Sequence, residues 1–155
     1  MLRRLWLPTS EKQLLASQDA LLRHFVSRKL TNRRIVLPAS GLTINAVDTM
    51  PGSSPASGAR TLVVGHGLGS GLGFFFNNID AFAEHFDRVV AFDWLGFGGS
   101  SRPMCNAAPR RRSRALTSFC ASDGDFESAS AAAAFFVDSF HSFLHHPEIG
   151  LAGEP

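Results

Sequence analysis

Tyrosine is missing from this 155-residue sequence, and lysine occurs only as Lys12 and Lys29, against 13 arginines. A phosphate-binding P-loop needs Gly-Lys-Ser/Thr after a glycine-rich turn, and no lysine follows Lys29 to supply it. Cysteine is nearly absent: Cys105 and Cys120 are too few for a disulfide framework and have no metal-ligand spacing. Charge of one sign is scarce as well, since 15 basic and 13 acidic residues leave a formal net charge of +2. With no aromatic–basic stripe beside it, that balance gives no footing for binding nucleic acid. No apolar run approaches the roughly 20 residues that span a bilayer. The 45% apolar content nevertheless rules out wholesale disorder. One small globular domain of unspecified chemistry is left.

The first residues carry Arg3, Arg4 and Trp6 but no apolar stretch of secretory-signal length. An arginine-bearing targeting peptide stays open, although Glu11 and Asp19 follow early. Ser10 and Gln13 have the spacing of a capping box, in which hydroxyl and amide each satisfy a backbone N–H of the other. Behind it Leu14, Leu21 and Phe25, with Leu15, Leu22 and Val26, form one apolar helical stripe. Residues 1–34 therefore read as an N-terminal amphipathic helical segment. Its stripe either packs on the rest of the domain or lies against lipid, with Trp6 as interfacial anchor.

From residue 35 the pattern changes. Residues 35–37, 42–47, 61–64 and 88–93 are rich in β-branched and apolar residues and bounded by turn formers, as strands are. Residues 50–58 are a loop by composition. Helical periodicity marks 74–86 and 126–144. The stretch 106–125 is polar and arginine-dense, a loop or insertion whose Arg110, Arg111, Arg112 and Arg114 are either solvated or contact anionic lipid. Strands alternating with helices predict an α/β fold, a mostly parallel sheet with flanking helices.

The glycine-rich stretch GHGLGSGLG at 65–73, between a strand and a helix, allows three chemistries. A dinucleotide fingerprint needs glycines at i, i+2 and i+5. It fails from Gly65, Gly67 and Gly69, which meet Ser70, Leu72 and Phe74. The P-loop fails for want of lysine. Acyl transfer remains, in which a backbone amide of a His-Gly turn after a strand faces a tetrahedral oxyanion. His66-Gly67-Leu68-Gly69 fits, and a second turn, DWLGFGGS at 93–100, ends the next strand.

On these residues the chain resembles the α/β-hydrolase superfamily: HGLGSGLGFFFNNIDAFAEHFDRVVAFDWLGFGGSSRP is similar to its strand–helix–strand core. LWLPTSEKQLLASQDALL, GFFFNNID and FFVDSF are similar to one lipid-active branch, which includes lysophosphatidate acyltransferases, N-acyl-phospholipid lipases and a non-catalytic lipase co-activator. The resemblance implies that Leu68 lends one oxyanion-hole amide, within a motif of His66, Gly67 and Gly69. The His66 side chain would then shape the turn, and Asp93 would cap or brace rather than react.

The family nucleophile sits in a G-x-S-x-G elbow. Ser70 has Leu68 and Leu72 at the glycine positions, Ser100 has Gly98 but Arg102, and Ser101 has Gly99 but Pro103. No histidine has aspartate five residues on, so the branch's H-x-x-x-x-D motif is missing too. His141, His145 and His146 precede the place of the nucleophile, whereas the triad base follows it, so they read as a solvated helix end. Residues 35–155 are therefore expected to be a partial α/β-hydrolase domain ending before the elbow. It lacks nucleophile, acid and base.

The resemblance implies a serine hydrolase or acyltransferase acting on acyl groups of phospholipids or lysophospholipids, needing no cofactor or metal. The chain as it stands is expected to be inactive. The alternative is a non-catalytic lipid- or lipase-binding protein. The partners implied are a lipid or lysophospholipid and, through Trp6 and the N-terminal helix, a membrane or lipid-droplet surface on the cytoplasmic side. In the family's sheet the next strand pairs beside 61–64, so that strand is expected to be an open edge prone to aggregation.

Overall fold

The computed structural model describes residues 10–50, 58–103 and 129–149. Trp6, the arginine-dense stretch 106–125, both cysteines and most of the loop 50–58 lie outside the described residues. The first helix, α1, spans Glu11–Phe25 and starts at the expected cap. Gln13 N–H donates to Ser10 Oγ at 3.2 Å, and Ser10 N–H to Gln13 Oε1 at 3.0 Å. Strands β1 (Thr31–Val36), β2 (Thr43–Asp48) and β3 (Thr61–Gly65) follow. Then come a 3₁₀ helix, Leu72–Asn77, helix α2, Ile79–His85, strand β4, Arg88–Phe92, and helix α3, Ala129–Leu144.

The four strands form one sheet in the order β1-β2-β4-β3. The α/β-hydrolase architecture expected from the sequence is present, but its parallel part is narrower than expected over these residues. Only β3 and β4 run parallel, with Val63 opposite Val90 and Gly65 opposite Phe92; β1–β2 and β2–β4 are antiparallel. The short connection 37–42 can only reverse the chain, whereas the 3₁₀ helix and α2 supply the crossover that a parallel pair needs. β1 begins at Thr31, ahead of the expected residue 35, because Thr31 to Arg34 pair with β2 despite their polarity.

Each strand feeds two layers by its period of 2. On one face Ile35, Ile44, Ala46, Val90 and Phe92 pack with Phe143 and Ile149 from α3 and its C-terminal end. On the other, Val47 and Ala91 pack with Leu22 and Val26 from α1 and its end, Leu72, and Ile79 of α2. The apolar stripe of α1 is thus in part a core face. β4 is buried at every residue, as a strand covered on both faces must be. The helix expected over 74–86 is broken at Asn78, because Phe74 N–H and Asn78 N–H make the shorter 3₁₀ bonds to Gly71 and Phe75 carbonyls.

Candidate active site

β3 and β4 end side by side, and the two glycine-rich turns leave from their carboxyl ends. In an open α/β sheet this is where ligands bind. After β3, Ser70 N–H donates to the Gly67 carbonyl at 3.3 Å, closing a turn over Gly67–Ser70. Gly69 takes φ +74° in this turn, the left-handed region that side chains disfavour. The turn stands out from the protein: Leu68 is 93% exposed. Among the described residues the Leu68 N–H has no partner.

His66 does not share that exposure. It is buried at the foot of the turn, with Nδ1 at 2.8 Å from the Gly67 carbonyl. The Trp94 indole N–H donates to the His66 carbonyl at 2.9 Å, so the turn after β4 holds the turn after β3.

The brace between the turns is Asp93, which is fully buried. Its carboxylate accepts the Leu72 N–H at 2.7 Å, the Asn45 side-chain amide at 2.7 Å and the Gly99 N–H at 2.9 Å. A buried carboxylate with three donors is satisfied and held in place. The bracing role expected of Asp93 is the one observed. Gly98 has φ +47°, and a Cβ there would lie 2.2 Å from the Asp93 carboxylate, so the loop closes only around glycine. Ser100 Oγ donates to the Asp93 carbonyl at 2.7 Å and accepts the Asn45 N–H at 2.9 Å.

Sequence reasoning did not single out Asn45 or the buried ion pair of Asp48 and Arg88. The available signal was an amide and a carboxylate inside the apolar run of β2. Arg88 reaches Asp48 Oδ2 at 2.5 Å and donates to the carbonyls of Glu148 and Ile149. Arg33 adds a second contact to Asp48 at 2.9 Å.

Between α1 and the glycine turns runs a cavity of about 350 Å3 lined by Leu14, Ser17, Gln18 and Leu21 on one side. Ser70, Gly71, Gly73, Phe74 and Gly98 line the other. Leu14 and Phe74 stand partly in solvent at its rim. His141 and His145 are exposed at the C-terminal end of α3, their rings 4.2 Å apart and tilted by 40°, and line no part of this cavity. No described helix is long and apolar enough to cross a membrane. Among the described residues no group of three or more His, Cys, Asp or Glu is placed to hold a metal ion.

The sequence matches the family described as alpha/beta hydrolase fold over residues 60–141. A 1-acylglycerol-3-phosphate O-acyltransferase of Arabidopsis thaliana is 63% identical over 46 residues, which are 30% of this chain and 11% of that protein. A probable 1-acylglycerol-3-phosphate O-acyltransferase of Oryza sativa subsp. japonica is 36% identical over 110 residues, covering 63% of this chain and 26% of that protein. The chain thus spans about a quarter or less of the length of these two curated relatives. Among solved structures, a probable hydrolytic enzyme of Pseudomonas aeruginosa PAO1 aligns at 26% identity with a TM-score of 0.37, over 50% of this chain and 24% of that one.

Proposed function

The chain belongs to the alpha/beta hydrolase fold family, and from that premise we propose that it carries the front part of a domain that hydrolyses or transfers acyl groups of phospholipids or lysophospholipids. The observation that carries this reading is the Leu68 N–H, without a partner among the described residues, on the glycine turn at the carboxyl end of β3. A donor held there before reaction meets the charge of a tetrahedral oxyanion without having to reorganise, and each such donor is worth about 2.7–4 kcal/mol of barrier. His66, Gly67 and Gly69 complete the motif, the glycines leaving the approach to the amide clear.

The lipid class is supported by the likeness to the two plant proteins named as acyltransferases of 1-acylglycerol-3-phosphate. It is supported also by the apolar groove that begins at Ser70, two residues from the donor. Chemistry further requires a nucleophile with its acid and base, and no serine here has the elbow's flanking glycines. We propose that this 155-residue chain is inactive by itself. A second reading, a non-catalytic lipid- or lipase-binding protein, is favoured by the exposure of Leu14, Phe25 and Phe74 around α1. In both readings α1, with Trp6 ahead of it, lies on a membrane or lipid-droplet surface from the cytoplasmic side.

The test offers lysophosphatidate with acyl-coenzyme A, and lysophospholipid alone, to the natively expressed protein and to the 155-residue chain, with products followed by mass spectrometry. The native product is expected to transfer or release acyl groups and the 155-residue chain to do neither. A native product without either activity overturns the enzyme reading. Flotation of the 155-residue chain with phosphatidylcholine–phosphatidylserine vesicles then decides the second.

A further inference from the structure

The direction of the Leu68 N–H is set by atoms that are not its own. A trans peptide unit points its N–H opposite to its C=O, and the described residues contain no cis bond. The carbonyl that shares a peptide unit with the Leu68 N–H is that of Gly67. It is held from two sides, by His66 Nδ1 at 2.8 Å and by the Ser70 N–H at 3.3 Å. The imidazole is fixed in turn at its other nitrogen, where the Trp94 backbone N–H donates to Nε2 at 3.3 Å. A neutral ring nitrogen that accepts a hydrogen bond carries the lone pair, so the proton is on Nδ1 and points at the Gly67 carbonyl. Asp93 Oδ1 stands 3.6 Å from Nε2, too far for a hydrogen bond, and is already engaged by the Leu72 N–H.

We propose that His66 is the positioning residue of the oxyanion donor: its Nδ1–H holds the Gly67 carbonyl inward and so aims the Leu68 N–H outward. The proposal rests on the reading of Leu68 as that donor. A carbonyl that accepts two hydrogen bonds also polarises its peptide unit, which makes the N–H a stronger donor. The ring's burial, at 6% exposure, keeps water from competing for Nδ1. A ring that only filled space would be indifferent to where its proton sits.

Two measurements test this. In the wild-type protein, nitrogen NMR of the histidines is expected to show His66 protonated at Nδ1, with a scalar coupling across the bond to the Gly67 carbonyl. A ring protonated at Nε2 alone overturns the proposal. The second uses His66→Asn, which keeps an N–H donor where Nδ1 stands, beside His66→Gln and His66→Phe, which do not. Losing a donor outright costs 10²–10³ in kcat, so losing its aim is expected to cost about 10- to 100-fold in the Gln and Phe variants at unchanged KM. The Asn variant is expected to stay within about 3-fold of wild type on the same scale. Equal losses in Asn and Gln, or a change confined to KM, overturn it. Residual dipolar couplings of the Leu68 N–H are expected to be retained in Asn and altered in Phe, and the reverse pattern overturns it. If the native protein has no acyl activity, the Leu68 reading falls, and the tautomer and the couplings still decide whether His66 aims this amide.

Discussion

Asn45, in the middle of β2, donates its side-chain amide to the Asp93 carboxylate at 2.7 Å. That one bond ties the loop after β4 to the strand beside it. The other oxygen of the same carboxylate holds the Leu72 N–H at the start of the 3₁₀ helix. Two turns that leave different strands are therefore set by one buried side chain.

Removing that side chain should loosen both turns together. Asp93→Ala strands three buried donors, and unsatisfied buried groups cost about 1–3 kcal/mol each; with partial relaxation a loss of about 3–5 kcal/mol is expected in urea unfolding. Gly98→Ala is expected to fail for a different reason, since its Cβ would overlap the carboxylate and its backbone is left-handed. Asp93→Asn should fall between Asp93→Ala and wild type, because one amide oxygen still accepts. A neutral result for Asp93→Ala contradicts the bracing role.

A second prediction concerns Arg88, which is 1% exposed and binds the fully buried Asp48 with two of its nitrogens. Its remaining bonds reach the carbonyls of Glu148 and Ile149, so the pair fastens the end of α3 to the sheet. Arg88→Met still leaves Asp48 paired with Arg33, but Asp48→Leu leaves the buried Arg88 charge uncompensated at a cost of about 3–5 kcal/mol, whereas replacing the whole set by apolar residues is often neutral. Asp48→Leu is therefore expected to destabilise far more than Arg88→Met with Asp48→Leu and Arg33→Leu. Arg33 joins the set because it is the second cation on Asp48. Amide exchange at residues 145–149 should rise in all of these variants.

What could be read in the sequence was what neighbours along the chain decide. The Ser10–Gln13 cap, the stripe of α1 and the strands 61–64 and 88–93 are local patterns, and they appear within a residue or two of where they were expected. The HGLG turn was legible because glycine and histidine stand there in a short window. Asn45, Asp48 and Arg88 were not, because their partners are set by the register of β2 against β4, with Ala46 opposite Phe92 and Asp48 opposite Val90. The start of the 3₁₀ helix is also fixed at long range, where the Asp93 carboxylate takes the Leu72 N–H. The direction of the Leu68 N–H depends on Trp94 reaching back to His66, which no local pattern encodes.

Acid should release the tie between α1 and α2. The Asp80 carboxylate accepts the Ser27 N–H and Ser27 hydroxyl, each at 2.8 Å, and the Arg28 N–H at 3.4 Å. The Ser27 N–H above all, then the Ser27 hydroxyl and the N–H and charge of Arg28, hold the Asp80 carboxyl below its usual range against the opposing effect of burial. A carboxyl depressed in the folded state contributes stability that is fully present above the unfolded value of about 4 and lost as pH falls through the folded value. The stability gap between wild type and Asp80→Asn is therefore expected to be widest near neutrality and to close as the pH falls below the unfolded value. Urea midpoints at both ends of that range check it; a gap that widens in acid contradicts it.

The last prediction follows from the sheet order. β3 pairs only with β4 among the described residues, so one row of its backbone N–H and C=O groups faces outward. Its residues Thr61–Val64 are half-buried, apolar for the most part and uncharged, without the lysine, proline or bulge that blunts a natural edge. Such an edge templates pairing with another chain, so the 155-residue polypeptide produced alone is expected to self-associate and bind an amyloid-type dye at micromolar concentration. Leu62 belongs to neither core cluster, which makes it the place for a charge. Leu62→Lys is expected to raise the soluble monomer fraction in sedimentation without lowering the unfolding free energy by more than about 1 kcal/mol. A wild-type chain that sediments as a monomer and melts cooperatively shows instead that the edge is covered.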